Sequence, residues 1–307
     1  MTQSYKMSST LQRTFKKTQQ MSNKVVLITG TNSGFGWLTA NTLAELGHKV
    51  YATMRDTQSK NADKAKALAQ VANITVLDVT LTDDASVKTA IDSVIAAEGR
   101  IDVLVNNAGF AASGVTESFT TTDVEEMFGL HVVAYWRLMK AVLPVMRQQA
   151  DGLIVNISSG AGRFAFPFMT VYSAAKFGLE GLSEGLHYEV KPLGVDVAII
   201  QPGAFPTDIL HKVRTGSDES VVAGYGALAE IPNQMGNGLA QLFETTKPNP
   251  QEVADAVVTL INLPKGERPL RTVVDPSTGY IVEAANEAVQ VEYEKTITAF
   301  GMGSLLN

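Results

Sequence analysis

The feature that most constrains this 307-residue chain is the apolar run Lys24-Val-Val-Leu-Ile-Thr29, which leads directly into the turn Gly30-Thr-Asn-Ser-Gly-Phe-Gly36. A short apolar run bounded by glycine reads as a buried strand. From Phe35 to Leu46 the spacing becomes helical, and Gly47 stops it. The cycle then recurs. Lys49–Thr53, Ile74–Leu77, Ile101–Val105, Leu153–Ile157 and Val195–Ile200 are predicted strands separated by helical stretches, and Thr272–Val274 adds a short last one. Parallel strands need a crossover, usually a helix, so the alternation predicts an α/β fold: a Rossmann-like doubly wound parallel sheet covered on both faces. Residues 23–307 read as a single domain. Asp208 to Pro250 breaks the cycle, being long, Gly-containing and irregular. It reads as a substrate lid, with a surface excursion of no role as the alternative.

Composition removes several function classes. A net charge of −6 offers no basic face for nucleic acid. With no cysteine there is no disulfide, thiolate metal site or cysteine nucleophile, and His48, His131, His187 and His211 lack metal-ligand spacing. No apolar stretch is long enough to span a membrane. Residues 1–22 carry Lys6, Arg13, Lys16 and Lys17, no acid and no apolar h-region. They are expected to be a flexible tail rather than a secretory signal; a transit peptide is the alternative, against which arginine is sparse. A cytoplasmic location is the expectation.

The glycines of the first turn suit phosphate binding. Gly30 permits a tight exit from the strand, Gly34 a close backbone approach to a pyrophosphate, and Gly36 close packing of helix on sheet. Asn32, Ser33 and Phe35 complete the cradle, and the helix N-terminus presents free N–H groups. After the fourth strand, Asn107, Ala108 and Gly109 suit close contact with a ribose and a backbone clamp. Asp78, ending the third strand, could accept from an adenine amino group or serve as a turn residue. An acid after the second strand would bind a ribose 2′-hydroxyl, but Met54 is followed by Arg55, a fork of donors suited to a 2′-phosphate. NADP(H) is therefore favoured, with NAD(H) the alternative, since Asp56 could neutralise Arg55.

Tyr172 and Lys176 lie four apart on a helical stretch and so share a face. A free phenol has a pKa of about 10, and a neighbouring ammonium favours its ionised form. Ser159, thirteen residues before Tyr172, could bind a substrate oxygen, with Ser158 as competitor. Hydride addition to a carbonyl with proton transfer at Tyr172 is the chemistry this set suits.

At these residues the chain resembles a short-chain dehydrogenase/reductase, from about Lys24 to Val274. The likeness also takes in Pro202-Gly203 and Thr207, and Tyr51–Asp56 and Lys176–Leu182 are similar to steroid- and retinol-type members. The resemblance implies an NAD(P)(H)-dependent enzyme acting on a ketone or secondary alcohol. Tyr172 would be its general acid/base, Lys176 the electrostatic partner and ribose ligand, and Ser159 the substrate-oxygen ligand. Pro202, Gly203 and Thr207 would line the nicotinamide side. It also implies a homodimer or homotetramer through helices near 123–149 and 171–191. One position departs: where many relatives carry an asparagine that supports a water relay, this chain has His131. It could titrate in that relay or be a buried, hydrogen-bonded histidine.

Phe164, Phe166, Phe168 and Met169, with Phe205, Ile209, Leu210, Tyr225 and Phe243 near the lid, suggest an apolar pocket for a lipophilic carbonyl: steroid, retinoid, fatty-acyl or xenobiotic. Core or subunit-contact roles are the alternative. Arg163, His211 and Lys212 could instead recruit an acidic substrate. Other classes are a nucleotide-sugar epimerase or dehydratase, for which the tail after Val274 is short, and a non-catalytic dinucleotide sensor.

Overall fold

A computed structural model describes residues 23–306; the expected tail, 1–22, lies outside the described residues. Seven parallel strands form one sheet: β1 (Val25–Thr29), β2 (Lys49–Met54), β3 (Ile74–Asp78), β4 (Val103–Asn106), β5 (Gly152–Ile157), β6 (Val195–Pro202) and β7 (Arg271–Val274). Their order is β3-β2-β1-β4-β5-β6-β7, so the chain reverses direction across the sheet between β1 and β4. The predicted strands all form, shifted by a residue or two at their ends.

Alternation along β1 shows how the layers are built. Val25 and Leu27 pack with helices α3 (Asp84–Glu98), α5 (Ala134–Gln149) and α6 (Thr170–Val190). Val26 and Ile28 pack on the other face with α1 (Gly34–Glu45), α2 (Ala62–Ala69) and α8 (Gln251–Asn262). Because both faces are covered, every β1 residue is buried, which is why the sequence shows a continuous apolar run rather than alternation. Helix α4 (Thr121–Phe128) runs into α5 through a π-helical stretch, Gly129–Val133, an insertion that often marks a functional position.

The segment 208–250 is not irregular. It contains a 3-10 turn (Asp208–Lys212), a 3-10 run (Glu219–Glu230) kinked at Gly226, and α7 (Ile231–Thr246). Gly236 and Gly238 sit inside α7, and such residues cost a helix about 1 kcal/mol each relative to alanine, which hides it in the sequence. Helix α9 (Gly279–Ala299) follows β7. Among the described residues no helix is long and apolar enough to cross a membrane, and no cluster suits a metal ion.

Candidate active site

The carboxyl ends of β1, β4, β5 and β6 converge where the strand order reverses, which is where open α/β sheets place ligands. The exit from β1 is braced rather than loose. The Thr29 hydroxyl accepts from the Asn107 and Ala108 amides at 2.9 and 3.1 Å. The Asn107 side-chain amide donates to the carbonyls of Thr29 (2.8 Å) and Gly30 (3.2 Å). Asn107 thus ties β4 to the glycine turn, and its amide protons are not spare for a ribose. Gly30 has φ +69°, and a Cβ there would lie 2.7 Å from the Ala108 backbone. Gly36 is closed in by the Gly30 carbonyl and the Asn107 amide. Gly34, with φ +54°, faces Thr207. Ser33 precedes α1 in extended conformation and uses its hydroxyl for no cap bond, so the helix begins with its N–H groups uncapped by a side chain. A dinucleotide pyrophosphate fits such a cradle: close backbone, no intervening Cβ and a positive helix end.

Several predicted cofactor contacts also have partners within the fold. The Asp78 carboxylate accepts from the Thr57 amide and hydroxyl at 2.9 and 2.7 Å, which fixes the turn after β2 and lowers its pKa. Arg55 is exposed beside Asp56 at 3.6 Å, the neutralising pair that the sequence had offered as the alternative. Asn32 donates to Asn61, which donates to the Arg55 carbonyl, and Lys64 lies over the Trp37 ring at 5.3 Å. Lys64 and Asn61 escaped the sequence reading because α2 carries them back to α1 only in three dimensions. Phe35 packs edge-on against Phe205 at 5.5 Å, so Phe205 belongs to the cofactor-side core and not to a substrate pocket. Pro202 ends β6, and Gly203 donates its amide to Val274 while a side chain there would collide with Asp275.

Ser159, Tyr172, Lys176 and His131 come together. Ser159 caps the turn Gly160–Gly162, accepting from the Ala161 amide at 3.1 Å, and its hydroxyl is near enough to the Tyr172 phenol to oppose the rise in that group's pKa. Ser158, the competitor, is buried with its hydroxyl unpartnered, beneath Gly162. Lys176 donates to the Ile157 carbonyl at 2.8 Å, and its ammonium lies 5.7 Å from the Tyr172 ring. Burial pushes Tyr172 up to about 12, with Ser159 opposing, and burial pulls Lys176 down to about 7, with Glu180 opposing. Desolvation sets both directions because both groups are buried.

His131 lies in the π-helical stretch and is 1% exposed. Its Nε2 pairs with the Phe110 carbonyl at 2.9 Å, and its ring meets Phe110 and Tyr172 edge-on at 5.5 and 5.7 Å. Burial, then the charge of Lys176, holds it well below its usual pKa, so it is a neutral packing group at physiological pH. Its Nδ1 is buried without a partner. The ring also fills the space under Gly109, where a Cβ would lie 2.5 Å from Cε1. Tyr135, which the sequence did not single out, donates to the Ala108 carbonyl at 3.0 Å.

On the substrate side Ile209, Met169, Phe110 and Phe119 pack with Tyr172 around Ala111 and Ala112, whereas Phe164 and Phe166 are exposed. Phe168 adopts φ +62°, a strained backbone for an aromatic residue, four residues before the phenol. Tyr225 donates to Glu117 at 2.9 Å. Of the three residues considered for an acidic substrate, Arg163 donates to the Ala285 carbonyl, while His211 and Lys212 are exposed.

The short chain dehydrogenase family model matches residues 24–218, more than half of the chain. The chain belongs to that family. The enzyme is 35% identical to a 3-ketodihydrosphingosine reductase of Bacteroides thetaiotaomicron, over 83% of this chain and 89% of that protein. It is 36% identical to human 17-beta-hydroxysteroid dehydrogenase type 1, over 80% and 76% respectively. Among solved structures, a short-chain dehydrogenase from Streptomyces avermitilis matches with TM-score 0.74 and 32% identity, covering 92% of this chain and 99% of that one. ElxO with NADP bound matches with TM-score 0.68 and 25% identity over 85% and 99%. The enzyme is therefore an oxidoreductase of the NAD(P)-dependent short-chain type.

Proposed function

We propose that the enzyme reduces a lipophilic ketone to a secondary alcohol with NADPH. The observation that carries this reading is the convergence at the sheet's carboxyl edge of Ser159, the buried Tyr172 phenol and the Lys176 amine 5.7 Å from its ring, with burial pushing the phenol up to about 12. At neutral pH such a phenol holds its proton, which suits a general acid delivering H⁺ to a carbonyl oxygen as it becomes an alkoxide. Ser159 would orient that oxygen. Lys176, held to the Ile157 carbonyl, sits within reach of a nicotinamide ribose. Bound nicotinamide supplies the hydride. The glycine turn and the start of α1 would hold the pyrophosphate, with Thr207, Pro202 and Gly203 on the nicotinamide side. Ala108 and Gly109 would flank the ribose, while His131 supports the backbone from below.

The preference for NADP(H) is supported by Arg55, the first residue after β2, whose charge Asp56 offsets only in part because both side chains are exposed and 3.6 Å apart, with no acid within the strand itself. A lipophilic substrate is supported by the apolar side chains around Tyr172 and by relatives named for a ketodihydrosphingosine, a hydroxysteroid and retinol. A screen of steroid, retinoid and long-chain ketones, followed at the reduced cofactor's absorbance with NADPH and NADH, tests the reading. Tyr172→Phe should lower kcat by about 10²- to 10⁴-fold while cofactor affinity stays near the parent's. Turnover at the parental rate in folded Tyr172→Phe would sink the assignment, and a higher kcat/KM with NADH would sink the cofactor preference.

A further inference from the structure

The first turn of the 208–250 segment reaches back to the cofactor cradle. Thr207 abuts Gly34, and the chain then makes the 3-10 turn Asp208–Lys212. This brings the Lys212 ammonium to 3.5 Å from the Ser33 hydroxyl. Ser33 is the residue that opens α1 with its own side chain unused as a cap. The ammonium therefore stands at the helix end assigned above to the pyrophosphate, and a diphosphate placed there would lie between two positive poles. Its other partner, Asp208, is 3.8 Å away with both side chains more than half exposed. Such surface pairs contribute at most about 1 kcal/mol, so Asp208 does not commit Lys212 elsewhere.

Two residues on, the chain is fastened to the opposite wall. The Arg214 amide donates to the Ala111 carbonyl and the Arg214 carbonyl accepts from Ser113, both at 2.9 Å, and its guanidinium stacks on Phe110 at 3.8 Å. Ser217 donates to Asp123 through hydroxyl and amide, and the Asp218 amide to Ser118. Residues 212–218 thus form a strap with one end at the glycine cradle and the other on the wall that flanks Tyr172.

We propose that Lys212 is a positioning residue that clamps the cofactor pyrophosphate against the start of α1, so that an occupied cradle tightens the strap. The proposal rests on the dinucleotide reading above. The pyrophosphate is common to NADP(H) and NAD(H), so the clamp does not discriminate between them.

The test uses the full chain as wild type, Lys212→Ala, Lys212→Gln and Lys212→Arg, with NADPH and with ADP-ribose, which carries the pyrophosphate without a nicotinamide. Affinities are measured by calorimetry, and hydrogen exchange across residues 208–246 is followed with and without ADP-ribose. Unliganded melting midpoints should match, since Lys212 is exposed. Lys212→Ala and Lys212→Gln should each weaken both ligands about tenfold, equivalent to about 1.4 kcal/mol. Both should also lose the slowing of exchange that ADP-ribose produces in the strap, and Lys212→Arg should restore it. Parental affinity and parental protection in the alanine and glutamine variants would overturn the clamp alone. A wild type that binds neither ligand would overturn the dinucleotide reading together with it.

Discussion

Four-residue spacing puts Tyr172 and Lys176 on one helical face, and that much is visible in the sequence. What the spacing hides is depth. Both side chains are buried, Lys176 is anchored on the Ile157 carbonyl, and desolvation sets the direction of both pKa shifts. The amine has a measurable consequence in the unliganded protein. In the unfolded chain it keeps its proton up to its ordinary value of 10.5; in the folded chain it releases it near 7. Between these limits the unfolded state binds the extra proton, so this group makes stability rise with pH. His131, also lowered by burial, acts in the same sense below 6.5. Lys176→Met should flatten the rise in urea midpoint between pH 7 and 10. A wild-type slope in that variant would show that the amine stays charged when buried. Asp78 and Asn107, both expected at the cofactor, also brace the fold. Each bonds a partner 21 or 78 positions away, which no local pattern announces.

At the scale of elements, the seven strands were legible because a buried strand needs only a short apolar run and a glycine exit. The glycine turn was legible for the same reason, since its requirement is local backbone geometry. Helix α7 was not, with two glycines in its body. Nor was the π-helical stretch, which has no compositional mark apart from the histidine it carries. That stretch and the loop after β4 are fitted to each other through Gly109 and His131. Gly109→Ala would press a methyl onto the imidazole, and a ring 1% exposed has little room to withdraw. Overpacking of this kind costs about 1–3 kcal/mol. Removing the ring in a Gly109→Ala/His131→Ala double variant should recover much of that loss, read as a favourable coupling in a double-mutant cycle. Additive losses would mean that the two residues do not share one space.

For the whole molecule, the fold class followed from alternation alone, whereas the surfaces did not. Val133 and Trp136 on the π-helical stretch and α5, and Phe177 on α6, are exposed on the helices expected to join subunits. We propose that two copies pair across this face. Trp136→Glu should lower the mass of the wild-type assembly, dimer or tetramer, in light scattering; an unchanged mass would place the interface elsewhere. Inside the molecule, Arg271 on β7 is ion-paired with Glu180 and Glu184 of α6 at 2.9 and 3.1 Å, and Gln201 bridges Glu180 to Asn286 of α9. Arg163, directly after the turn that Ser159 caps, donates to the Ala285 carbonyl of the same helix. The turn that Ser159 caps is therefore braced by a helix made more than a hundred residues later. On the ribosome, the first six strands can be released and begin to fold while Glu180, Gln201 and Arg163 still await their final partners. A nascent chain stalled before Gly279 would consequently emerge with its dinucleotide half assembled and its chemistry not yet armed.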